Sequence, residues 1–216
     1  MTCIAVIQPY FVPYAGYFRL FAAADKVILY DCVQFPRRGR VHRNVLPDSN
    51  SNPQWLTLPL RKANVRVKIR DLSFAEDAKE AMIQRTSRFP SLSTAPCELM
   101  SLIHRPVGNV VDYLESTLKV TCNLLGLPCN TIRSSLLELP PQLTGTQRII
   151  AVANSLGADT YVNLSGGRNL YNKSTFLKQG IKLKFLNEWR GSKWSILQHL
   201  ALEERALIAK DIWAQC

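Results

Sequence analysis

The stretch Thr2–Asn44, TCIAVIQPYFVPYAGYFRLFAAADKVILYDCVQFPRRGRVHRN, constrains the fold more than any other part of the chain. An apolar run of β type, Cys3 to Ile7, breaks at Gln8-Pro9 and passes a second proline at Pro13. It restarts as a short apolar helix, Tyr17 to Ala24, and a second β-type run, Lys26 to Cys32, follows with almost no linker. Strand, loop, helix, strand is the crossover unit of a parallel sheet. In such sheets ligands bind beyond the carboxyl ends of the strands. Both predicted strands end in polar groups: Gln8 and Tyr10 after the first, then Asp31, Gln34, Arg37, Arg38, Arg40, His42, Arg43 and Asn44 after the second. One rim is therefore expected to hold a carboxylate, amides and several guanidiniums.

The rest of the chain extends this alternation around a helical block. Pro47 to Pro53, PDSNSNP, has no apolar anchor and reads as a hairpin-like loop. Gln54 to Leu60, QWLTLPL, predicts a third strand, with Pro59 marking an edge or a terminus. Arg61 to Leu72 sets Val65, Val67 and Ile69 against Arg66, Lys68 and Arg70, the pattern of a half-exposed strand with a positive outer face. Residues 75–89 carry acids first and bases last, as a helix dipole prefers, with Ser73 as the cap. Further helices are expected over Cys97 to His104 and Val107 to Leu125, the latter closed by Gly126 and Pro128. Strands are expected at Asn130 to Leu139, Asp159 to Asn163 and Lys182 to Leu186, with a helix at Thr144 to Leu156 between the first two. Trp194 to Trp213 predicts one amphipathic helix with Ile196, Leu200, Leu207 and Ile208 on its apolar side. The fold class expected is α/β: one domain over residues 1–216, a mostly parallel sheet with flanking helices and a helical insert at about 75–127.

At 216 residues a chain buries ample core without cross-links. The six cysteines show no CxxC pairing, and Cys3, Cys32 and Cys122 sit in apolar runs where a reduced thiol packs as a small hydrophobe. A reducing, cytoplasmic location is expected, without a membrane partner, since no apolar run approaches the ~18 residues a bilayer span needs. The net charge of +11 is concentrated: between Arg37 and Arg70 the basic residues face a single acid, Asp48. Such a field favours a polyanion or a multiply phosphorylated molecule, although basic surfaces also serve solubility alone.

Among these residues, Arg37, Arg38 and Arg43 are expected to clamp phosphate oxygens in pairs, with Asn44 beside Arg43. Gln34 lies on the same segment. Asp31 is a candidate base, or a loop cap; His42 is a candidate proton shuttle, or a solvated ring whose pKa the arginines lower. The loop Gln8 to Tyr17 is stiffened by two prolines, which suits a site, and Gly16 at the helix start leaves backbone N–H groups open to an anion. Gln8, Tyr10 and Tyr17 are the side chains it would present. Ser165, Gly166, Gly167 and Arg168 read as an anion nest or as a plain turn, and Arg148 as a site residue or a salt-bridge partner. Arg40, Arg61, Lys62, Arg66, Lys68 and Arg70 are candidates for a nucleic-acid backbone. No metal set is expected from the dispersed histidines and cysteines, and no cofactor fingerprint is present.

Seven segments together resemble the WbqC-like family: IQPYFVPYAGYF (Ile7 to Phe18), DCVQF followed by Arg38, HRN (His42 to Asn44), QWLTLPL, Ser134-Ser135, TGTQRI (Thr144 to Ile149) and TYVNLSGGRNLY (Thr160 to Tyr171). Arg40 departs from the family pattern, where an aromatic is usual, and His42 stands where asparagine is usual. The resemblance implies a transferase. Relatives are associated with surface-polysaccharide synthesis and with bacteriophages that hypermodify thymine in DNA. In the phage setting it implies that an amino acid amine, glycine for preference, displaces a phosphate-type leaving group from the 5-methyl carbon of a pyrimidine. Asp31, His42 and Gln8 would then be the catalytic set, and DNA and an amino acid donor the partners. The opening segment is also similar in layout to nucleotidylyltransferases, which carry histidines where this chain has Tyr14 and Tyr17. A nucleotide-activated sugar as acceptor, and a non-catalytic nucleic-acid-binding protein, are the competing expectations.

Overall fold

The computed structural model describes residues 1–216. Alternation along the first strand, β1 (Cys3–Ile7), decides how the layers are arranged. Ala5 and Ile7 enter one apolar cluster, with Val27 and Leu29 of β2 (Lys26–Leu29). Ile4 and Val6 enter a second one, with Ile28. A strand buried on both faces needs cover on both, and the chain supplies it. The first cluster receives Leu20 and Phe21 of α1 (Arg19–Ala23), the second receives Ile149, Val152 and Ala153 of α5 (Gly145–Ser155) and Phe176 of α6 (Lys173–Leu177).

The sheet has the order β5-β2-β1-β6-β7, every pair parallel, with β5 at Thr131–Arg133, β6 at Thr160–Asn163 and β7 at Lys182–Phe185. The expected parallel sheet and its first crossover are present, as are its flanking helices. The chain steps outward from β1 through β2 to β5, then returns to the other side of β1. Edge strand β5 is three residues rather than ten, because a 3₁₀ turn, Ser134–Leu136, follows it at once. It is fastened to α4 (Val110–Leu124) through Glu115, which accepts from Thr131 Oγ1 at 2.7 Å and from Arg133 Nε and Nη2 at 2.8 and 2.6 Å.

The loop PDSNSNP does join a hairpin, β3 (Arg43–Pro47) and β4 (Pro53–Thr57), which stands apart from the parallel sheet. Its Leu46 and Leu56 pack in the same cluster as Met82 of α2 (Ala78–Thr86) and Leu99 and Ile103 of α3 (Cys97–Ile103), so the helical block shares the core of the sheet. α4 is capped by Asn109, whose Oδ1 accepts from the N–H of Val111 and of Asp112.

Three expectations fail for tertiary reasons. Arg61 to Leu72 is not a strand. The Asn64 side chain accepts the Arg66 N–H and turns the chain, Val65 is left 60% exposed, and a 3₁₀ turn occupies Ile69–Asp71. Only an isolated bridge, Gln34 to Lys68, remains of the ladder. Ser73 does not cap α2, which starts after Asp77. The C-terminal helix is two, α7 (Ile196–Leu202) and α8 (Arg205–Ala214), separated at Glu203 in extended conformation. α7 packs on the turn at Pro90–Thr94 and α8 on α1, and one straight helix cannot serve both; Leu207 is consequently exposed.

Candidate functional site

At the carboxyl end of β2 the chain passes through Tyr30 to Asp31, which is 1% exposed. Its Oδ1 accepts from Ser134 Oγ and from the Ser135 N–H, both at 2.9 Å, and its Oδ2 from Ser135 Oγ at 2.6 Å. The carboxylate expected as a base thus ties the end of β2 to the turn after β5. That tie sets one wall of a cavity of about 370 Å³ beyond the strand ends, where Ser135, Gln34, Lys68, Arg70, Thr144 and Arg148 meet.

Arg148 belongs to the first turn of α5 and is 9% exposed. Its Nη1 donates to the Pro140 carbonyl at 3.3 Å, while its Nε is buried with no partner. A buried guanidinium donor left unpaired costs about 1–3 kcal/mol unless something else accepts from it. α5 opens at Thr144 without a side-chain cap, so its first N–H groups and the positive end of its dipole face the same space. Lys68 and Arg70, expected along an exposed nucleic-acid face, line this cavity too, and Arg70 has only a 3.6 Å pairing with Asp71. The chemistry available is the capture of a multiply charged oxyanion.

A second cavity, of about 380 Å³, lies across a partition. The partition consists of segments 33–35 and 67–69, joined by Phe35 N–H to Val67 O at 2.8 Å and Ile69 N–H to Val33 O at 3.0 Å. Side chains alternate across it: Gln34 and Lys68 face the first cavity, Phe35 and Val67 the second. Arg37, His42, Arg61 and Lys62 line the second cavity as well. Burial and the Arg43 charge push His42 down to about 4, so the ring is neutral, and its buried Nδ1 has no partner. Arg37 Nη2 donates to the Ala63 carbonyl at 2.5 Å, and Gln34 Nε2 to that of Val65 at 2.9 Å.

The single rim expected from the sequence is therefore divided, and several of its members are closed to a ligand. Asn44 is fully buried: its Nδ2 donates to the Phe11 and Val12 carbonyls at 3.3 and 2.8 Å, and its Oδ1 accepts from the Val45 N–H and from Arg40. Arg43 donates to the Gly39 and Arg38 carbonyls and lies 4.2 Å over the Trp55 ring. Tyr17 is 2% exposed, with its hydroxyl on the Gln8 carbonyl at 2.7 Å. Tyr10, half-buried, stacks on it at 5.3 Å. Gly16 is not an anion port: a Cβ there would lie 2.5 Å from Trp189 Cγ, so the absence of a side chain serves packing. Ser165–Gly167 is a 3₁₀ turn rather than a nest, because the Gly167 and Arg168 N–H groups are spent on Leu164 and Ser165 carbonyls. Arg168 lies 5.7 Å over Phe185. Gln8 follows β1, beside the switch in strand order between β1 and β6, and is half-buried. Arg38 and Arg66 are exposed, and Arg61 pairs with Glu76 at 2.7 Å.

Ser135, Thr144, Arg85 and Trp55 carry no expected site role in the sequence, although all but Arg85 lie in segments that resemble the family. A serine pair and a threonine before a glycine are common turn chemistry; Thr144 precedes Arg148 by one helical turn, whereas Ser135 reaches the same cavity only through the fold. No three His, Cys, Asp or Glu side chains converge in a metal-binding arrangement, and no helix is long and apolar enough to cross a membrane.

The sequence matches the model of the WbqC-like protein family over residues 8–198. An uncharacterized protein of Mycobacterium tuberculosis, Rv1507c, is 25% identical over 204 residues, 87% of this chain and 83% of that protein. No solved structure matches.

Proposed function

Since this chain belongs to the WbqC-like protein family, we propose that it is a transferase acting on a phosphate-activated acceptor, and that the acceptor is a 5-hydroxymethyl pyrimidine in DNA bearing a pyrophosphoryl group. The observation that carries this reading is the unpaired, buried Nε of Arg148 beside the open N-terminus of α5, in a cavity shared with Lys68 and Arg70. An amino acid amine, glycine first, attacks the exocyclic methylene carbon. The C–N bond forms as the C–O bond breaks, its electron pair leaves on pyrophosphate, and the ammonium proton passes to solvent. Stabilising the departing oxygens is the main electrostatic demand, and preorganised guanidinium and backbone N–H donors meet it.

Roles within the site follow from the hydrogen bonds. Arg148, Lys68 and Arg70 receive the phosphates. Asp31, with both oxygens already accepting from Ser134 and Ser135, positions the wall instead of taking the substrate proton. His42, neutral and weakly basic, faces the other cavity. The exposed cations Arg38, Arg61, Lys62 and Arg66 supply the long-range attraction for a polyanion.

The test is nucleoside mass spectrometry after incubating the protein and glycine with DNA containing pyrophosphorylated 5-hydroxymethyluracil, with unmodified DNA as control. A glycine-sized adduct on the activated base alone is expected. Absence of an adduct with every amino acid tried would exclude the DNA acceptor, and the same phosphate site would then be tested against nucleotide-activated sugars.

A further inference from the structure

No step of the proposed reaction takes place in the cavity beyond the partition, although Arg61 and Lys62 on its rim also contribute to the long-range field. Its floor is apolar and aromatic, with Phe35 edge-on to the His42 ring at 4.9 Å between centroids. Its rim is cationic: Arg37, Arg61, Lys62 and Arg85 against one carboxylate, Asp77. Arg85 is itself held, Nη1 donating to the Thr57 carbonyl at 2.6 Å, which leaves its remaining donors for a ligand. A simple anion would gain nothing from the aromatic floor, and an apolar ligand nothing from four cations. A phosphate ester of a planar heterocycle uses both, since guanidiniums fork onto phosphate oxygens while the ring buries its face. The neutral imidazole adds one hydrogen-bonding edge suited to a base without bringing charge into the floor.

We infer that this cavity is a second binding site, separate from the Arg148 pocket, for a nucleoside phosphate whose base rests on Phe35 and His42 and whose phosphate meets Arg37, Arg61, Lys62 and Arg85. The nucleotide is either free or part of a single strand. The outer face of the hairpin continues from the cavity: Thr57 at its edge pairs with Arg43, and Arg43 covers Trp55, which is 46% exposed. An exposed indole next to a cationic cavity is the platform on which a neighbouring base stacks.

The experiment titrates the whole protein with thymidine 5′-phosphate, following the His42 ring by NMR and the affinity by calorimetry, with inorganic phosphate and thymidine as separate probes. Saturable shifts of the His42 resonances are expected with the nucleotide. Arg61→Glu with Lys62→Glu, both on exposed side chains, weakens binding at least tenfold, and Arg148→Met leaves it unchanged. A thymidine oligonucleotide distinguishes the two sources. Tighter binding that Trp55→Ala reduces to the level of the mononucleotide assigns the site to a strand, and equal affinities independent of Trp55 assign it to a free nucleotide. Unperturbed His42 resonances at millimolar nucleotide, or binding lost with Arg148→Met and indifferent to the charge reversals, would overturn the inference. Because the readout is binding without turnover, the transferase reading stands or falls separately.

Discussion

The Asn44 side chain donates from Nδ2 to the Val12 carbonyl at 2.8 Å, across 32 residues of chain, and Ser195 Oγ reaches the same oxygen at 2.7 Å. Val12 has φ +37°, a conformation a β-branched residue adopts only when its surroundings impose it. The hairpin and the start of α7 thus hold the loop after β1 in a strained state. The stiffness expected from its two prolines comes as much from these two side chains.

Asn44→Ala removes the amide from a site with no access for water. The Phe11 and Val12 carbonyls each lose a donor, and the expected loss is about 2–3 kcal/mol in denaturant unfolding. A change below about 0.5 kcal/mol would mean that the loop is held by other contacts.

Gly16→Ala drives a methyl into Trp189 and Tyr14. Destabilisation of about 1–3 kcal/mol is expected, the usual range for overpacking. In a double-mutant cycle Trp189→Leu should relieve part of it, giving a coupling above about 0.5 kcal/mol. Strict additivity would show that the indole is not the obstacle.

Arg148→Met replaces an incompletely satisfied buried cation by an apolar chain of similar length. Such exchanges are neutral or stabilising, so an unchanged or raised melting temperature is expected together with at least tenfold weaker binding of inorganic pyrophosphate by calorimetry. Retained affinity would remove Arg148 from the phosphate site.

Acid stability should decline in two overlapping stages. His42 titrates near 6.5 when unfolded and at about 4 in the fold. Between these values the unfolded chain binds the extra proton, so stability falls as pH drops from 6.5 to 4. Burial by itself would raise Glu115, but hydrogen bonds from Lys119, Thr131 and Arg133 bring it down to about 2, against 4.5 when free. Its contribution is complete above 4.5 and is lost as pH falls towards 2. His42→Gln should flatten the upper stage and Glu115→Gln the lower one in urea titrations at stepped pH.

With neither Asp31 nor His42 positioned as a strong base, turnover should follow the deprotonated fraction of the amine. On this reading the rate rises tenfold per pH unit until the amine's own pKa. A bell-shaped profile with a limb near neutrality would require a base on the protein.

How far the sequence could be read depended on the range of the forces involved. The apolar run Cys3–Ile7, the close succession of α1 and β2, and the helix expected at Thr144 to Leu156 and found over Gly145–Ser155 reflect burial over a few residues. The basic run from Arg37 to Arg70 was equally visible, but its division was not. Gln34 and Phe35 are adjacent in sequence and face different cavities, because pairing with Val67 and Lys68 turned their segment into a wall. Asn64, by capturing the Arg66 N–H, cancelled a strand whose alternation was sound.

The parallel α/β core and the cationic character of the surface are legible in the order of residues, since periodicity and charge are local properties of the chain. Which cations stay free is settled by packing. Arg43 and Asn44, in the middle of the basic segment, are consumed by Trp55 and Val12, while Arg148, about a hundred residues further on, keeps an unpaired donor at the mouth of the sheet. Whether a donor is paired depends on what the fold brings within 3 Å of it, and that is a property of packing between distant segments.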